Sequence, residues 1–220
     1  GLVVASAICE NGKCRRVSLD MTPAFVESLD LPLNTPDWGE IKIDICFGGV
    51  FYALVDVAQT GLVIEPGQAQ ALAQAGMTIK ALIAESITVQ HPEIAAIQGV
   101  AYVMFRSLDR DGAIRTCTTM WPGRVDRSPC GTGSSAHLAT LYARDRVKPG
   151  DELISRSIIG SEFSVGFRGV TTIAGRVAVL PRISGRAWLY GKSEIYVDAS
   201  DPFPQGFVLS DAWGPMAGDI

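Results

Sequence analysis

The segment Val125-Asp126-Arg127-Ser128-Pro129-Cys130-Gly131-Thr132-Gly133-Ser134-Ser135-Ala136 concentrates the residues with chemical capacity. Pro129 and two glycines compress the chain into a turn ahead of a helical pattern over about 132–145. This places Cys130 at or next to a helix N-terminus. Unpaired N–H groups and the positive dipole end there favour anions, whether a thiolate or a bound carboxylate. Gly131 and Gly133 let a ligand approach the backbone with no Cβ in the way. One turn can therefore supply a base and an anion cradle together. A plain helix cap over a buried cysteine is the competing reading of the same residues.

Other chemistries fit the residues less well. Gly131-Thr132-Gly133-Ser134-Ser135 lacks the lysine of a phosphate-binding loop and the third glycine of a dinucleotide fingerprint, so no nucleotide is implied. A Cys–His hydrolase would need His91 or His137. His137 falls one turn into the same helix, pointing away from its mouth, and His91 precedes Pro92 in what reads as a surface loop. Cys9 and Cys14 flank Glu10-Asn11-Gly12-Lys13, where Asn-Gly signals a two-residue hairpin, so the two thiols should face each other one pair beyond the turn. A zinc site there would need two more ligands, and none is in sequence reach. Five cysteines in all, an odd number, suit a reduced cytoplasmic protein.

The elements that must position this turn are mixed. The 220 residues are 47% hydrophobic with 23 Gly and 12 Pro, enough for one large core or two small ones. A net charge of −4 with no basic run beyond Arg15-Arg16 argues against nucleic-acid binding. No apolar stretch reaches membrane-spanning length, Asp56 breaking the best one at 50–58, and residues 1–9 lack the flanks of a secretory signal. Strand patterns cover 2–19 as a hairpin, 40–58 with an interruption at Gly48-Gly49, 99–106, 113–120, 162–170, 172–180, 186–189 and 194–197. Glu65-Pro66-Gly67 opens a helix that Gly76 closes, and a second helix follows near 79–85. The inventory is α+β. The helix after Thr132 is apolar on more than one face, as a helix wrapped by sheet would be.

DRSPCGTGSSA, with FGGVFYALVD at 47–56, SIIGSEF at 157–163, ISGRAWLYG at 183–191 and DPFPQGF at 201–207, resembles the proline racemase family, which includes proline racemases, 4-hydroxyproline 2-epimerases and 3-hydroxyproline dehydratases. The likeness spans essentially the whole chain. It implies a diaminopimelate epimerase-like fold, in which two similar α+β domains each wrap a sheet around a central helix, with the active site between them. By the resemblance, Cys130 is the acid/base on one face of a substrate α-carbon, Gly131 and Thr132 offer N–H groups to its carboxylate, and Asp126 holds the ring nitrogen. Phe51 and Tyr52 either line the ring pocket or belong to the core. At Tyr102, where similar epimerases are expected to carry His, the hydroxyl could reach a ring hydroxyl; plain core packing is the alternative.

The family's other motif, a Met-Cys-Gly-His type segment (Ser for Cys in some members), has no counterpart, and the chain opens on the Gly-Leu-Val-Val strand that follows it. The expected division is therefore 1–16 as the end of a first domain, 17–187 as a whole second domain and 188–220 as a return to the first, the chain alone being inactive. The implied reaction is cofactor-independent α-proton abstraction and reprotonation on proline or hydroxyproline. It uses no metal and no pyridoxal phosphate, since a secondary amine forms no neutral imine. Expulsion of a 3-hydroxyl from the same carbanion would make a dehydratase instead, and an inactive, carboxylate-binding remnant is the third reading. A small-molecule substrate, possible pairing as a homodimer and a cytoplasmic setting complete the expectations.

Overall fold

Ile43 to Phe47 and Phe51 to Val55 are buried at every position, a pattern that strands show only when both faces of their sheet are covered. The computed structural model, which describes residues 3–207, shows what covers them. The strands are β1 (Val4–Glu10), β2 (Lys13–Asp20), β3 (Ala24–Thr35), β4 (Gly39–Phe47), β5 (Phe51–Asp56), β6 (Val100–Leu108), β7 (Ile114–Met120), β8 (Arg124–Val125), β9 (Glu152–Ser157), β10 (Glu162–Ile173) and β11 (Arg176–Gly185). The helices are α1 (Ala69–Ser86) and α2 (Gly131–Ala143). Neighbours run β11-β10-β9-β7-β6-β5-β4-β3, and β3 pairs back with β11 through Ala24 and Phe25, so the sheet closes on itself. The fold is α+β, a barrel of strands around a helix, as the sequence implies.

Handedness explains why one helix lies inside and the other outside. Among the described strands, only two neighbouring pairs are parallel, β5 with β6 and β7 with β9, and each is joined through a helix. Both crossovers step the same way round the ring, but β7 runs antiparallel to β6 and hence to β5. Right-handed crossovers from oppositely directed strands must leave on opposite faces. Accordingly Phe51, Ala53 and Val55 of β5 pack with Leu72, Ala75 and Ile79 of α1, while Tyr52 and Leu54 pack with Cys130 and Ala136 at α2. α2 is buried continuously from Gly133 to Thr140. Its side chains there are mostly small, which lets it fit within the ring, and the hydroxyls of Ser135 and Thr140 donate to carbonyls of their own helix (2.9 and 2.7 Å).

Several local expectations are corrected. Gly76 does not end a helix: α1 runs through it to Ser86, absorbing the expected second helix at 79–85. A Cβ at Gly76 would lie 2.0 Å from Thr119 Oγ1, so glycine is there to let α1 lie close on β7. The strand expected to break between 170 and 172 continues to Ile173, and the turn comes at Ala174-Gly175, both with positive φ. β3 and β9 carry no expectation from pattern, because β3 is interrupted by bulges at Val26/Ser28 and Ser28/Leu31 and β9 is short. His91 is buried rather than on a surface loop, its ring edge-on to Phe25 and Phe47 and its Nδ1 accepting from the Glu93 and Ile94 N–H groups (both 3.2 Å).

The hairpin β1–β2 turns at Asn11-Gly12 with Cys9 opposite Cys14, both free thiols. From Val17 onward β2 joins β11. Compactness divides the chain between Arg186 and Ala187. In the second unit, residues 187–207 hold no strand or helix, so the strands expected at 186–189 and 194–197 do not form. Turns instead join Asp198 to Asp201 and Phe203 to Gly206. The rest of the expected 188–220 segment, and the Gly1-Leu2 opening of the hairpin, lie outside the described residues. No described helix is long and apolar enough to cross a membrane.

Candidate active site

The turn before α2 is built from the backbone outward. Asp126 donates its N–H to the Thr118 carbonyl on β7 (2.8 Å), and its carboxylate accepts from both the N–H and the hydroxyl of Ser128 (2.8 and 2.9 Å). Ser128 Oγ in turn accepts the Cys130 N–H (3.1 Å). The Pro129 carbonyl lies within hydrogen-bond reach of the Thr116 and Ser134 hydroxyls (3.2 and 3.1 Å), and Ser161 donates to the Arg127 carbonyl (3.2 Å). So the conspicuous SIIGSEF string is the β9–β10 connection that braces this loop. These ties hold Cys130 at φ 63°, ψ 104°, a left-handed backbone that costs a non-glycine residue about 1–3 kcal/mol and persists only where its surroundings impose it.

Cys130 is thus the residue that caps α2, as expected. The first intrahelical bond runs from the Ser134 N–H to the Cys130 carbonyl (2.9 Å). The N–H groups of Gly131, Thr132 and Gly133 precede it and point out of the helix mouth. Gly131 is half-buried, and a Cβ there would make only ordinary contacts with Met21 and Ile183. Gly133 has a different reason than ligand approach: a Cβ would crowd Met104 Sδ (2.8 Å), Cys130 Sγ (3.0 Å) and Tyr52 Cε1 (3.2 Å). The β4–β5 turn closes on the same point, where a Cβ at Gly48 would overlap the Thr132 carbonyl at 2.1 Å. Gly49 beside it has φ 124°, and a Cβ there would come within 3.0 Å of Thr132 Cγ2, so both glycines of FGGVFYALVD are accounted for.

Tyr52 is the residue whose place sequence reasoning left open. Strand alternation separates it from Phe51, which points to the α1 side. Its hydroxyl lies 3.3 Å from Cys130 Sγ and 2.7 Å from Thr132 Oγ1. Burial, and next the neighbouring Cys130, push its phenol well above the usual range, so it stays protonated. Tyr102 stands in register with Tyr52 on the next strand, the rings 5.5 Å apart, and its half-buried side chain belongs to the Cys130 cluster. Cys130, Thr132, Tyr52 and Tyr102 therefore converge. Both Asp126 carboxylate oxygens accept from Ser128, so the loop that carries Cys130 is tied to this carboxylate. Two other buried thiols are held in the neutral form: Cys46 is pushed well up by burial, and Cys117 to about 12 by burial and then by Asp126. His137, on α2 but away from its mouth, is neutral, its pKa pushed down to about 3 by burial and then by Arg106. No group of three or more His, Cys, Asp or Glu suited to a metal occurs among the described residues.

The sequence model of the family described as Proline racemase matches residues 1–208. The chain belongs to the proline racemase family. Among its curated relatives, the "4-hydroxyproline 2-epimerase 1" of Rhizobium rhizogenes is 59% identical and the "4-hydroxyproline 2-epimerase" of Allorhizobium ampelinum is 61% identical, each over all 220 residues. Those matches cover the whole chain but 64% and 63% of the relatives' own length, so the chain spans a little under two thirds of them. A crystal structure of a probable proline racemase from Agrobacterium radiobacter K84 with bound carbonate superposes with a TM-score of 0.90 at 59% identity, covering 100% of this chain and 65% of that one. A hydroxyproline epimerase from Agrobacterium vitis with bound trans-4-hydroxy-L-proline gives a TM-score of 0.91 at 61% identity, covering 100% and 63%. Within this family fold, DRSPCGTG is the turn that leads into the enclosed helix α2.

Proposed function

We propose that this chain supplies one side of the active site of a cofactor-independent amino-acid racemase or 2-epimerase acting on proline or hydroxyproline. The observation that carries the reading is the placement of Cys130. A strained, braced backbone sets its sulfur at the mouth of a helix whose first N–H groups are free to take a carboxylate. Cys130 then exchanges a proton with one face of the α-carbon. The N–H groups of Gly131 and Thr132 stabilise the charge that the carboxylate gains as that proton leaves, inside a site shielded from water. Inversion needs a second acid/base group on the opposite face, supplied by the length of the relatives that this chain does not span. Asp126 holds the ring nitrogen, and Tyr102 faces a ring hydroxyl. The relatives named 4-hydroxyproline 2-epimerase, at 59–61% identity, favour the hydroxylated ring.

The test is to incubate the protein, extended to its relatives' length, with proline, 4-hydroxyproline or 3-hydroxyproline in deuterated water. Deuterium should enter the α-position with inversion, fastest for 4-hydroxyproline, and vanish in Cys130→Ala. Loss of the 3-hydroxyl without inversion would assign a dehydratase, and no exchange on any substrate would leave a carboxylate-binding protein.

A further inference from the structure

Tyr52 sits between two groups with which it can hydrogen-bond in either direction. Its hydroxyl is 3.3 Å from Cys130 Sγ and 2.7 Å from Thr132 Oγ1, whereas those two are 4.0 Å apart. A phenol has one proton to donate. It can give that proton to sulfur while accepting from Thr132, or give it to Thr132 while accepting from an S–H. The heavy atoms need not move: Tyr52 is fully buried, and the Thr132 methyl lies against Gly49, where a Cβ would come within 3.0 Å of it, which turns the Thr132 hydroxyl toward the phenol. Thr132 itself is half-buried at the helix mouth.

We propose that Cys130, Tyr52 and Thr132 form a hydrogen-bond chain that reverses direction whenever Cys130 gains or loses its proton, and that the Thr132 hydroxyl is released to the substrate carboxylate in only one of the two directions. The second half of this statement rests on the reading under Proposed function. With a Cys130 thiolate, Thr132 donates to the phenol oxygen and the phenol donates to sulfur. When the thiolate takes the α-proton, the C–H bond breaks, an S–H bond forms and the electron pair left on carbon spreads into the carboxylate. The S–H then donates to the phenol oxygen and the phenol O–H turns to Thr132 Oγ1. The Thr132 O–H, no longer held by the phenol, turns toward the carboxylate. No proton passes between the three residues; only hydroxyl groups rotate. The additional donor thus arrives when the carboxylate gains charge, which favours the transition state over bound substrate. Tyr52 and Thr132 are positioning residues for Cys130 in this scheme, and the protonated phenol makes Tyr52 a rotor rather than a base.

The test measures the pH profile of Cys130 alkylation by iodoacetamide, mapped by peptide mass spectrometry on this chain without substrate. Labelling of the buried Cys46 and Cys117 reports any unfolding. Tyr52→Phe should slow alkylation at neutral pH about tenfold and move the midpoint up, as expected for losing one hydrogen bond to a charged sulfur. Thr132→Val should alter the profile at least about twofold, through its effect on the phenol, and Thr132→Ser should restore it. In a Tyr52→Phe background, Thr132→Val should have no effect. A wild-type profile in Tyr52→Phe, no change in Thr132→Val, or equal effects of Thr132→Val in both backgrounds would each overturn the chain. If Tyr52→Phe labels Cys46 and Cys117 as fast as Cys130, the comparison of Thr132→Val with Thr132→Ser decides alone. Because no turnover is measured, failure of the epimerase reading would show in the deuterium assay and leave this result standing.

Discussion

Cys130 depends on its neighbours through a chain of single hydrogen bonds, so the residues behind it can be separated by their kinetics. Ser128 touches no substrate in the proposed reaction, yet it is the link between the Asp126 carboxylate and the Cys130 N–H. Ser128→Ala should therefore lower kcat about tenfold, the scale of one misplaced catalytic group, while KM stays near wild type. Asp126→Ala should lower kcat by the same route and also raise KM, because the carboxylate is assigned to the ring nitrogen. An unchanged KM in Asp126→Ala would leave it only the bracing role. Tyr102 tests the substrate. Tyr102→Phe should reduce kcat/KM for 4-hydroxyproline by about 1–3 kcal/mol, the usual result of leaving a buried polar group unpaired, with proline hardly affected. Equal losses on both substrates would make Tyr102 a packing residue. Of these roles, Cys130 at the helix end was legible from the proline and glycines around it. Tyr52 was not, because its reach to Cys130 depends on how β5 lies across α2, and alternation along a strand identifies faces without saying what they meet.

At the scale of elements, each helix rests on an approach distance that composition hides. Gly76 looks like a helix stop in the sequence, since glycine is a poor helix former and follows an Ala-rich run. Its actual constraint lies across the interface at Thr119. Gly76→Ala should destabilise the fold by about 1–3 kcal/mol despite alanine's better propensity, because α1 must lift from β7; denaturant unfolding at fixed pH measures it, and a stabilised variant would show that α1 can shift freely. The middle of α2 gives a pH signature. His137 titrates near 6.5 when unfolded but at about 3 when folded. The unfolded state then binds the extra proton first as pH falls, so this contribution to stability is full above about 6.5 and declines toward pH 3. Asp44 acts the same way at lower pH. Burial would raise its carboxyl, but Arg144, the Asp30 N–H and Arg106 together hold it below the usual range, so its stabilisation is present above the unfolded carboxylate value and fades under strong acid. His137→Gln should flatten the stability profile between about pH 6.5 and 4, where Asp44 is still ionised. A slope as steep as wild type would place the titration elsewhere. The α+β class and the wrapped helix were legible from pattern; β3 and the length of α1 were not, because bulges and a packing glycine mimic breaks.

For the molecule as a whole, the barrel closes on itself, and exposed apolar side chains recur both on the β1–β2 hairpin and, separately, within the second unit. Val4 and Ile8 of β1 are exposed on a hairpin that pairs with the barrel only from Val17. Within the second unit, Leu189, Tyr190, Ile195, Tyr196 and Phe207 are exposed along a stretch without regular structure. Exposed apolar side chains favour association with other apolar surface. We expect the 220-residue chain to self-associate at micromolar concentration, to bind a hydrophobic dye and to show no racemisation of proline or 4-hydroxyproline. Extension to the length of its relatives should give a defined particle, lower dye binding and activity that depends on Cys130. Light scattering coupled to gel filtration, with polarimetry on the same fractions, tests both halves. A monodisperse 220-residue species that inverts its substrate would show that one side of the site suffices, and Cys130 would then have to serve both faces of the α-carbon.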